Sequence, residues 1–395
     1  MTIAAESPSP MVALHVALRC PPTVRFLWFV LALLLPYYGG ASGNLQITDI
    51  VLALLVGRLA VARMFGPRIG GVGDRLVLRL SAYVGWVVLV NVGWYTVGGN
   101  TELLYSSAFA AHGLILFGAL VISGQWFGGG VRSALTWGLV VAMFWQLAVV
   151  ATTTTAEGSR PVGTFNSPNQ LGYFALLVVV ACLLTVAGRT PGRLRIAAYL
   201  AIPIALFLIV VSGTRAAIVG VAMLALSAAV RAGIRPVLLV PLAVAAAVLV
   251  MPAADVAHEV MNRPAGTEDD GAGARGYDRL TNYPQWPLTV GAGEGDYGRH
   301  ESDAGTHEIH SGVATIVFSY GIPGVVLFLR FLWPYGRRAL RNGNVYLLAL
   351  VGYNLFHQGL RFRGLWVVMG LAALLAIESA HRTPEASRDP IGAPA

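Results

Sequence analysis

Residues 196 to 230 form an almost unbroken apolar run of 35 residues. As one α-helix it would measure about 52 Å at 1.5 Å per residue, far more than the ~30 Å hydrocarbon core that about 20 apolar residues cross. The run is too long for one crossing. Ser212, Gly213, Thr214 and Arg215 sit at its middle, so it is predicted to fold into two spanning arms joined by a hairpin turn. Each arm is only about 16 residues, or roughly 24 Å. The turn is therefore expected below the membrane surface, with Arg215 in a cavity rather than in bulk water. An ionisable group at that depth is costly and usually functional.

The rest of the chain repeats the pattern. Candidate spans lie near residues 24–41, 48–64, 76–97, 103–125, 132–152, 170–187, 194–211, 215–230, 235–252, 309–332, 344–360 and 364–380, about twelve in all. Hydrophobic residues make up 56% of the 395 and charged residues 12%, against roughly 25% charged in soluble domains. The expected fold class is an all-α integral membrane protein. Trp28, Tyr37, Tyr38, Trp94, Tyr95, Trp126 and Trp333 fall near proposed span ends, as amphipathic rings prefer the interface.

Charge sets the expected sidedness. With the N-terminus inside, the even-numbered connections hold Arg63, Arg68 and Arg75, then Arg132, then Arg189, Arg193 and Arg195, then Arg231 and Arg235, then Arg330, Arg337, Arg338 and Arg341. Residues 253–308 carry eleven acidic residues against four Arg, a net −7 within a chain of net +8. The positive-inside rule places that loop outside. The expected organisation is a cytoplasmic tail over 1–23, nine spans over 24–252, an extracytoplasmic loop over 253–308, three spans over 309–380 and a cytoplasmic tail over 381–395. Residues 1–22 contain Glu6, several prolines and no basic n-region, unlike a cleaved signal peptide.

Several classes drop out. Arg clusters flanking apolar segments account for the net charge, so no nucleic-acid partner is expected. Two cysteines, Cys20 and Cys182, provide neither a disulfide framework nor a thiolate metal site.

Under this topology four polar constellations fall on the outer face. Gly163-Thr164-Phe165-Asn166-Ser167-Pro168-Asn169-Gln170 is turn-rich and leads into the sixth span. Asn, Ser and Pro are also ordinary helix-starting residues, and a cap is the bland reading. Arg215 is the second. The third is the long loop, where Tyr277-Asp278-Arg279-Leu280 precedes Pro287 and Gly291-Ala292-Gly293-Glu294-Gly295; these glycines lack the strand and helix of a nucleotide-binding fingerprint. The fourth is Thr306-His307-Glu308-Ile309-His310. A His-x-x-His pair could hold zinc with His300 or Glu308, but there is no His-Glu-x-x-His pattern, and no metal site is assigned. His112, alone among small residues, reads as an interhelical hydrogen-bond donor. His357 precedes Arg361 by four residues, which would put both on one helical face. Arg361 and Arg363 occupy a short outer connection, against the charge bias elsewhere.

The string from Gly163 to Tyr173, Ser-Gly-Thr-Arg at 212–215, and His310 followed by Gly321-Ile322-Pro323-Gly324 together resemble the O-antigen ligase/polymerase family in order, spacing and side of membrane. The resemblance covers roughly residues 150–335. The family's last motif reads His-Asn, an apolar stretch, then Glu-x-Gly-Leu-x-Gly; here Ser311 replaces the Asn and Ser319 the Glu. The family also carries an Arg ahead of a Pro-x-x-Gly-x-Gly element, which Pro287 to Gly293 resembles with one residue inserted; Arg279, or else Arg275, is the corresponding Arg.

The resemblance implies a GT-C-like, metal-independent, inverting glycosyltransferase of the bacterial cytoplasmic membrane. It uses no cofactor, its donor is a polyprenyl diphosphate-linked glycan, and its acceptor hydroxyl belongs to a lipid, glycan or protein. In that chemistry guanidinium groups stabilise the leaving diphosphate, the role expected of Arg215 and one loop Arg. A histidine accepts the acceptor's proton, the role expected of His310, with His307 orienting it or binding sugar. Asn166, Asn169, His357 and Arg361 complete the expected substrate site. A ligase and a repeat-unit polymerase need the same site, and a transporter of lipid-linked glycans is the alternative from another class.

Overall fold

The computed structural model describes residues 20–37, 46–65, 72–153, 160–188, 190–231, 280, 286–295, 309–342 and 346–380. Among them the regular elements are all helices: α1 (Pro22–Leu34), α2 (Ile47–Phe65), α3 (Val72–Gly98), α4 (Glu102–Phe127), α5 (Gly129–Thr152), α6 (Pro168–Ala187), α7 (Gly192–Val211), α8 (Arg215–Arg231), α9 (Trp286–Val290), α10 (Gly312–Asn342), α11 (Leu348–Phe356) and α12 (Arg363–Ala380). Six are long and apolar enough to cross a membrane, namely α3 to α7 and the Gly312–Arg337 part of α10. The expected ninth span (235–252), both tails and most of the 253–308 loop lie outside the described residues.

The long apolar run is broken where its polar group predicts. Ser212, Gly213 (φ 60°) and Thr214 form a turn between α7 and α8. The arms then diverge, α7 packing on α6 and α5 while α8 packs on α11 and α6. At the centre stands α6, buried on all sides from Leu171 to Cys182, as a helix without a polar face must be. Around it the bundle exposes Phe26, Leu54, Leu78, Leu89, Tyr199, Leu329 and Trp333. That apolar exterior suits lipid rather than water.

Polar pairs hold the interior. The Trp28 indole donates to Ser123 Oγ at 3.1 Å, and the Thr136 and Thr185 hydroxyls meet at 2.8 Å. His112 Nδ1 lies 3.5 Å from Asp49 Oδ1, bridging α4 and α2. Arg132, expected in a connecting loop, is instead inside α5, where its Nη1 lies 2.7 Å from Glu378 Oε2 of α12.

One predicted span holds a shorter helix than expected. Among the described residues 346–360 the helix is α11, whose nine residues rise about 14 Å, well short of a full spanning helix. The Asn354 side chain donates to Leu350 O at 2.8 Å and accepts from Gly359 N at 3.2 Å, folding the chain back. His357 then takes an extended conformation, φ −146° and ψ 153°. His357 and Arg361 therefore do not share a helical face.

Candidate functional site

Helix ends from across the bundle meet at one end. There the turn at 212–214 is locked onto the start of α6. The Thr214 hydroxyl donates to Pro168 O at 3.1 Å and lies 2.9 Å from the Ser212 hydroxyl. Gly172 permits the approach, since a Cβ there would lie 2.4 Å from Thr214 Oγ1. Arg160 Nη1 reaches Gly213 O at 3.3 Å. Ser212 and Thr214 are buried, whereas Arg215, the first residue of α8, is exposed. In place of the expected enclosure, the Arg215 side chain is exposed, while its neighbours Ser212 and Thr214 hold the turn by hydrogen bonds.

The string at 163–170 is partly a cap. Ser167 Oγ accepts from Gln170 N at 3.4 Å and Pro168 opens α6, satisfying an orphan N–H where proline costs nothing. Thr164 donates to Pro36 O at 2.6 Å and accepts from Gln146 Nε2 at 2.8 Å. Asn166 is exposed, and Asn169 is half-buried with its carbonyl accepting from Tyr353 OH at 3.3 Å.

His310 lies beside this surface. Ser311 caps α10, its hydroxyl accepting from Ala314 N at 3.2 Å and donating to Asn354 O at 3.1 Å. Ser and Asn share that capping ability, which accounts physically for Ser at this position. Gly312 N donates to His357 O at 3.1 Å, and the exposed His310 ring lies 6.2 Å from the His357 ring. His357 stacks on Tyr353 at 5.4 Å, and Tyr353 on Tyr173 at 3.8 Å. Beneath Gly312 and Asn354 a cavity of about 440 Å³ opens between α10, α11 and α12, lined mainly by apolar side chains such as Val313, Phe328, Leu350 and Trp366.

The glycine segment docks into a break in α10. Pro323 has no N–H for the carbonyl of Ser319, four residues earlier, and Gly321 (φ 62°, ψ −167°) interrupts the helix. The released carbonyls are taken up: Phe318 O by Ala292 N at 3.0 Å, Ser319 O by Gly293 N at 2.9 Å, and Tyr320 O by the Trp86 indole at 2.8 Å. The Trp94 indole donates to Gly291 O at 2.9 Å. At Gly291 (φ 106°) a Cβ would sit 2.5 Å from Ser319 O. Only glycine fits both the conformation and the space.

Glu294 is the residue that sequence reasoning missed. Its side chain is 8% exposed. Oε1 accepts from Arg361 Nε at 2.8 Å and Gln358 Nε2 at 3.0 Å, and Oε2 accepts from the Tyr320 hydroxyl. A glutamate set among glycines was the signal the sequence carried, and its partners Tyr320, Gln358 and Arg361 lie far along the chain. Arg361 also donates to Ser106 Oγ at 3.2 Å. Arg363 is tied to α2: its Nη1 donates to Gln46 Oε1 at 2.8 Å and to Thr48 Oγ1, and Nη2 lies 2.9 Å from Asp49 Oδ1. Both arginines that run against the charge bias are therefore neutralised by carboxylates.

The structure thus brings Arg215, Asn166, Asn169, His310, His357 and Arg361 to one end of the bundle. Arg275, Arg279 and His307, with His300 and Glu308, lie outside the described residues. No protein-family description matches the chain, and no curated protein matches it significantly. The class defined directly is therefore an α-helical membrane-type protein with a polar, cation-bearing end.

Proposed function

We propose that the protein is a membrane glycosyltransferase of the O-antigen ligase type, with about twelve crossings in a GT-C-like arrangement and its site on the outer face of the bacterial cytoplasmic membrane. It transfers a glycan from a polyprenyl diphosphate-linked donor to an acceptor hydroxyl. One observation carries the reading: three segments distant in sequence, 163–170, 212–215 and 310–324, place a histidine and an arginine at the exposed end of an otherwise apolar bundle. In the reaction the acceptor oxygen attacks the anomeric carbon, the bond from that carbon to the diphosphate oxygen breaks on the opposite face, and the acceptor proton passes to His310. Arg215 meets the charge growing on the leaving diphosphate, helped by the positive N-terminus of α8. The apolar cavity beneath Gly312 would suit part of the donor's hydrocarbon chain. A repeat-unit polymerase would use the same steps with a lipid-linked acceptor.

The break at Gly321 and the short α11 favour a second reading, a transporter of lipid-linked glycans, because discontinuous helices are typical of such proteins. Purified protein incubated with a polyprenyl diphosphate glycan and acceptor separates the two: the enzyme forms transferred product, in excess chelator as well as without it, and the transporter forms none. Sidedness is tested by thiol labelling of intact cells. A cysteine placed within 253–308 reacts with an impermeant reagent, and one near Arg338 does not. The native background is low, since Cys182 is buried and burial pushes the Cys20 thiol up to about 11, leaving little thiolate to react.

A further inference from the structure

Helices α1, α5 and α7 all begin at the end of the bundle opposite His310. The far end of α7 is the turn at 212–214, while Thr164 joins Gln146, near the far end of α5, to Pro36 O just beyond α1. Both α1 and α7 pack on α5. Between the three starts lies a cavity of about 590 Å³, lined by Arg25, Phe26, Phe29, Ser133, Trp137 and Arg193 with their neighbours.

The lining changes with depth. Arg25, Ser133 and Arg193 are the fourth, fifth and second residues of their helices, all within about 6 Å of the helix starts. Phe29 and Trp137 stand deeper, about 10–12 Å along the helices. Phe26 is 64% exposed and Trp137 39%, so the cavity opens onto the apolar exterior of the bundle. A polar rim above aromatic walls matches a phospholipid, whose phosphate sits above its acyl chains.

Charge narrows the ligand further. The Arg25 and Arg193 side chains are exposed, and among the described residues neither guanidinium has a hydrogen bond or an ion pair. None of the described lining residues is acidic, and the Glu378 carboxylate at this end is taken by Arg132. The three helices also lack a side-chain cap and an acidic residue in the first turn, which leaves their positive ends uncompensated. A zwitterionic headgroup would bring an ammonium into this field with no carboxylate to receive it. An anionic headgroup brings only the phosphate, which guanidinium groups bind through paired N–H donors.

We propose that this cavity binds one anionic phospholipid from the leaflet at that end, with its phosphate held by Arg25 and Arg193, Ser133 as a further donor, and an acyl chain starting along Phe29 and Trp137. Basic pockets between spanning helices hold acidic lipids in this way. The site lies across the bundle from Arg215 and His310 and does not depend on the transfer reading.

The test uses the full chain in a neutral detergent, titrated with phosphatidylglycerol carrying brominated acyl chains, with quenching of tryptophan fluorescence as the binding signal and thermal unfolding as the check on folding. Quenching should saturate, and brominated phosphatidylcholine should bind at least tenfold more weakly. Trp137→Phe should remove most of the saturable quenching, which places the lipid in this cavity. Arg25→Gln and Arg193→Gln should each weaken binding about fivefold, since an arginine near an acidic lipid contributes about 1 kcal/mol, and the double variant should bind more weakly than either. Arg195→Gln removes the same charge from an exposed position of α7 outside the cavity, and should bind as the unaltered protein does. Equal affinity for the two lipids, saturable quenching that survives Trp137→Phe, or an equal loss in Arg195→Gln overturns the proposal. Displacement of the lipid by excess inorganic phosphate also overturns it, because the rim would then be a site for a free anion.

Discussion

Arg215 and Arg363 each form the first residue of a helix, α8 and α12, at the same end of the bundle. A cation there opposes the helix dipole, at a cost of about 0.3–1 kcal/mol. Around Arg363 that cost is met by structure: Asp49, Gln46 and Thr48 of the α2 end surround its guanidinium, which is 15% exposed. Arg215 stands on a turn whose buried hydroxyls hold the backbone, with its side chain exposed. Residue type and helical position are the same, so the environment separates the roles. Arg363 joins two helices, and under the proposed function Arg215 meets the charge of the leaving diphosphate.

The largest expected effect lies on the exposed side of this comparison. Arg215→Ala should lower transfer by about 10²–10³-fold, the loss typical of one group stabilising developing charge. His310→Ala should lower it by about 10²–10⁴-fold, the usual contribution of a general base. Neither should change the amount of folded protein, since exposed substitutions rarely move stability by more than about 0.5 kcal/mol. Single-turnover rates and thermal unfolding on the same preparations check both statements. Retained activity in either variant breaks the comparison.

Next comes Arg363→Ala, which leaves the half-buried Asp49 without its main cation. Breaking such a pair costs about 3 kcal/mol, the lower part of the usual range, because Gln46 N still donates to Asp49 Oδ2 at 2.8 Å. Unfolding in detergent should show the loss. The double variant Asp49→Asn with Arg363→Ala should lose less than the sum of the two, since no charge is then stranded. Additive losses would mean that Arg363 is not held chiefly by Asp49.

The sequence made some of this legible and hid the rest for physical reasons. The turn at 212–214 was readable because an apolar run of that length cannot be one crossing, and the Ser167 cap because capping is local chemistry. The length of α11 was not, since residues 344–356 are mostly apolar, and at the end of the helix the Gly359 N–H donates to the Asn354 side chain. Trp94 read as an interfacial ring and Arg132 as a loop cation, but each has a tertiary partner, Gly291 O and Glu378, distant in sequence. Glu294 was hidden most completely. Nothing beside it in the chain indicates that Arg361, 67 residues away, will meet it at the break in α10.

The smallest expected effect is also the most discriminating, because it keeps the charge and changes only its shape. Lysine carries a compact ammonium that cannot reproduce the fork of a guanidinium. At position 363 the guanidinium reaches Gln46 and Thr48 through Nη1 and Asp49 through Nη2. A lysine there would keep the ion pair and lose one or two hydrogen bonds, worth about 1 kcal/mol each. Arg363→Lys should therefore lower stability by about 1–2 kcal/mol and leave the affinity for a prenyl diphosphate unchanged. Arg215→Lys should do the reverse, holding stability nearly constant while recovering little of the transfer rate lost in Arg215→Ala, because in the proposed reaction the fork meets the diphosphate. Thermal unfolding and transfer rates measured side by side on the two lysine variants give a crossed pattern if the roles are divided as described. If both variants lose stability and neither loses rate, Arg215 joins helices as Arg363 does, and the anion-binding role passes to another residue.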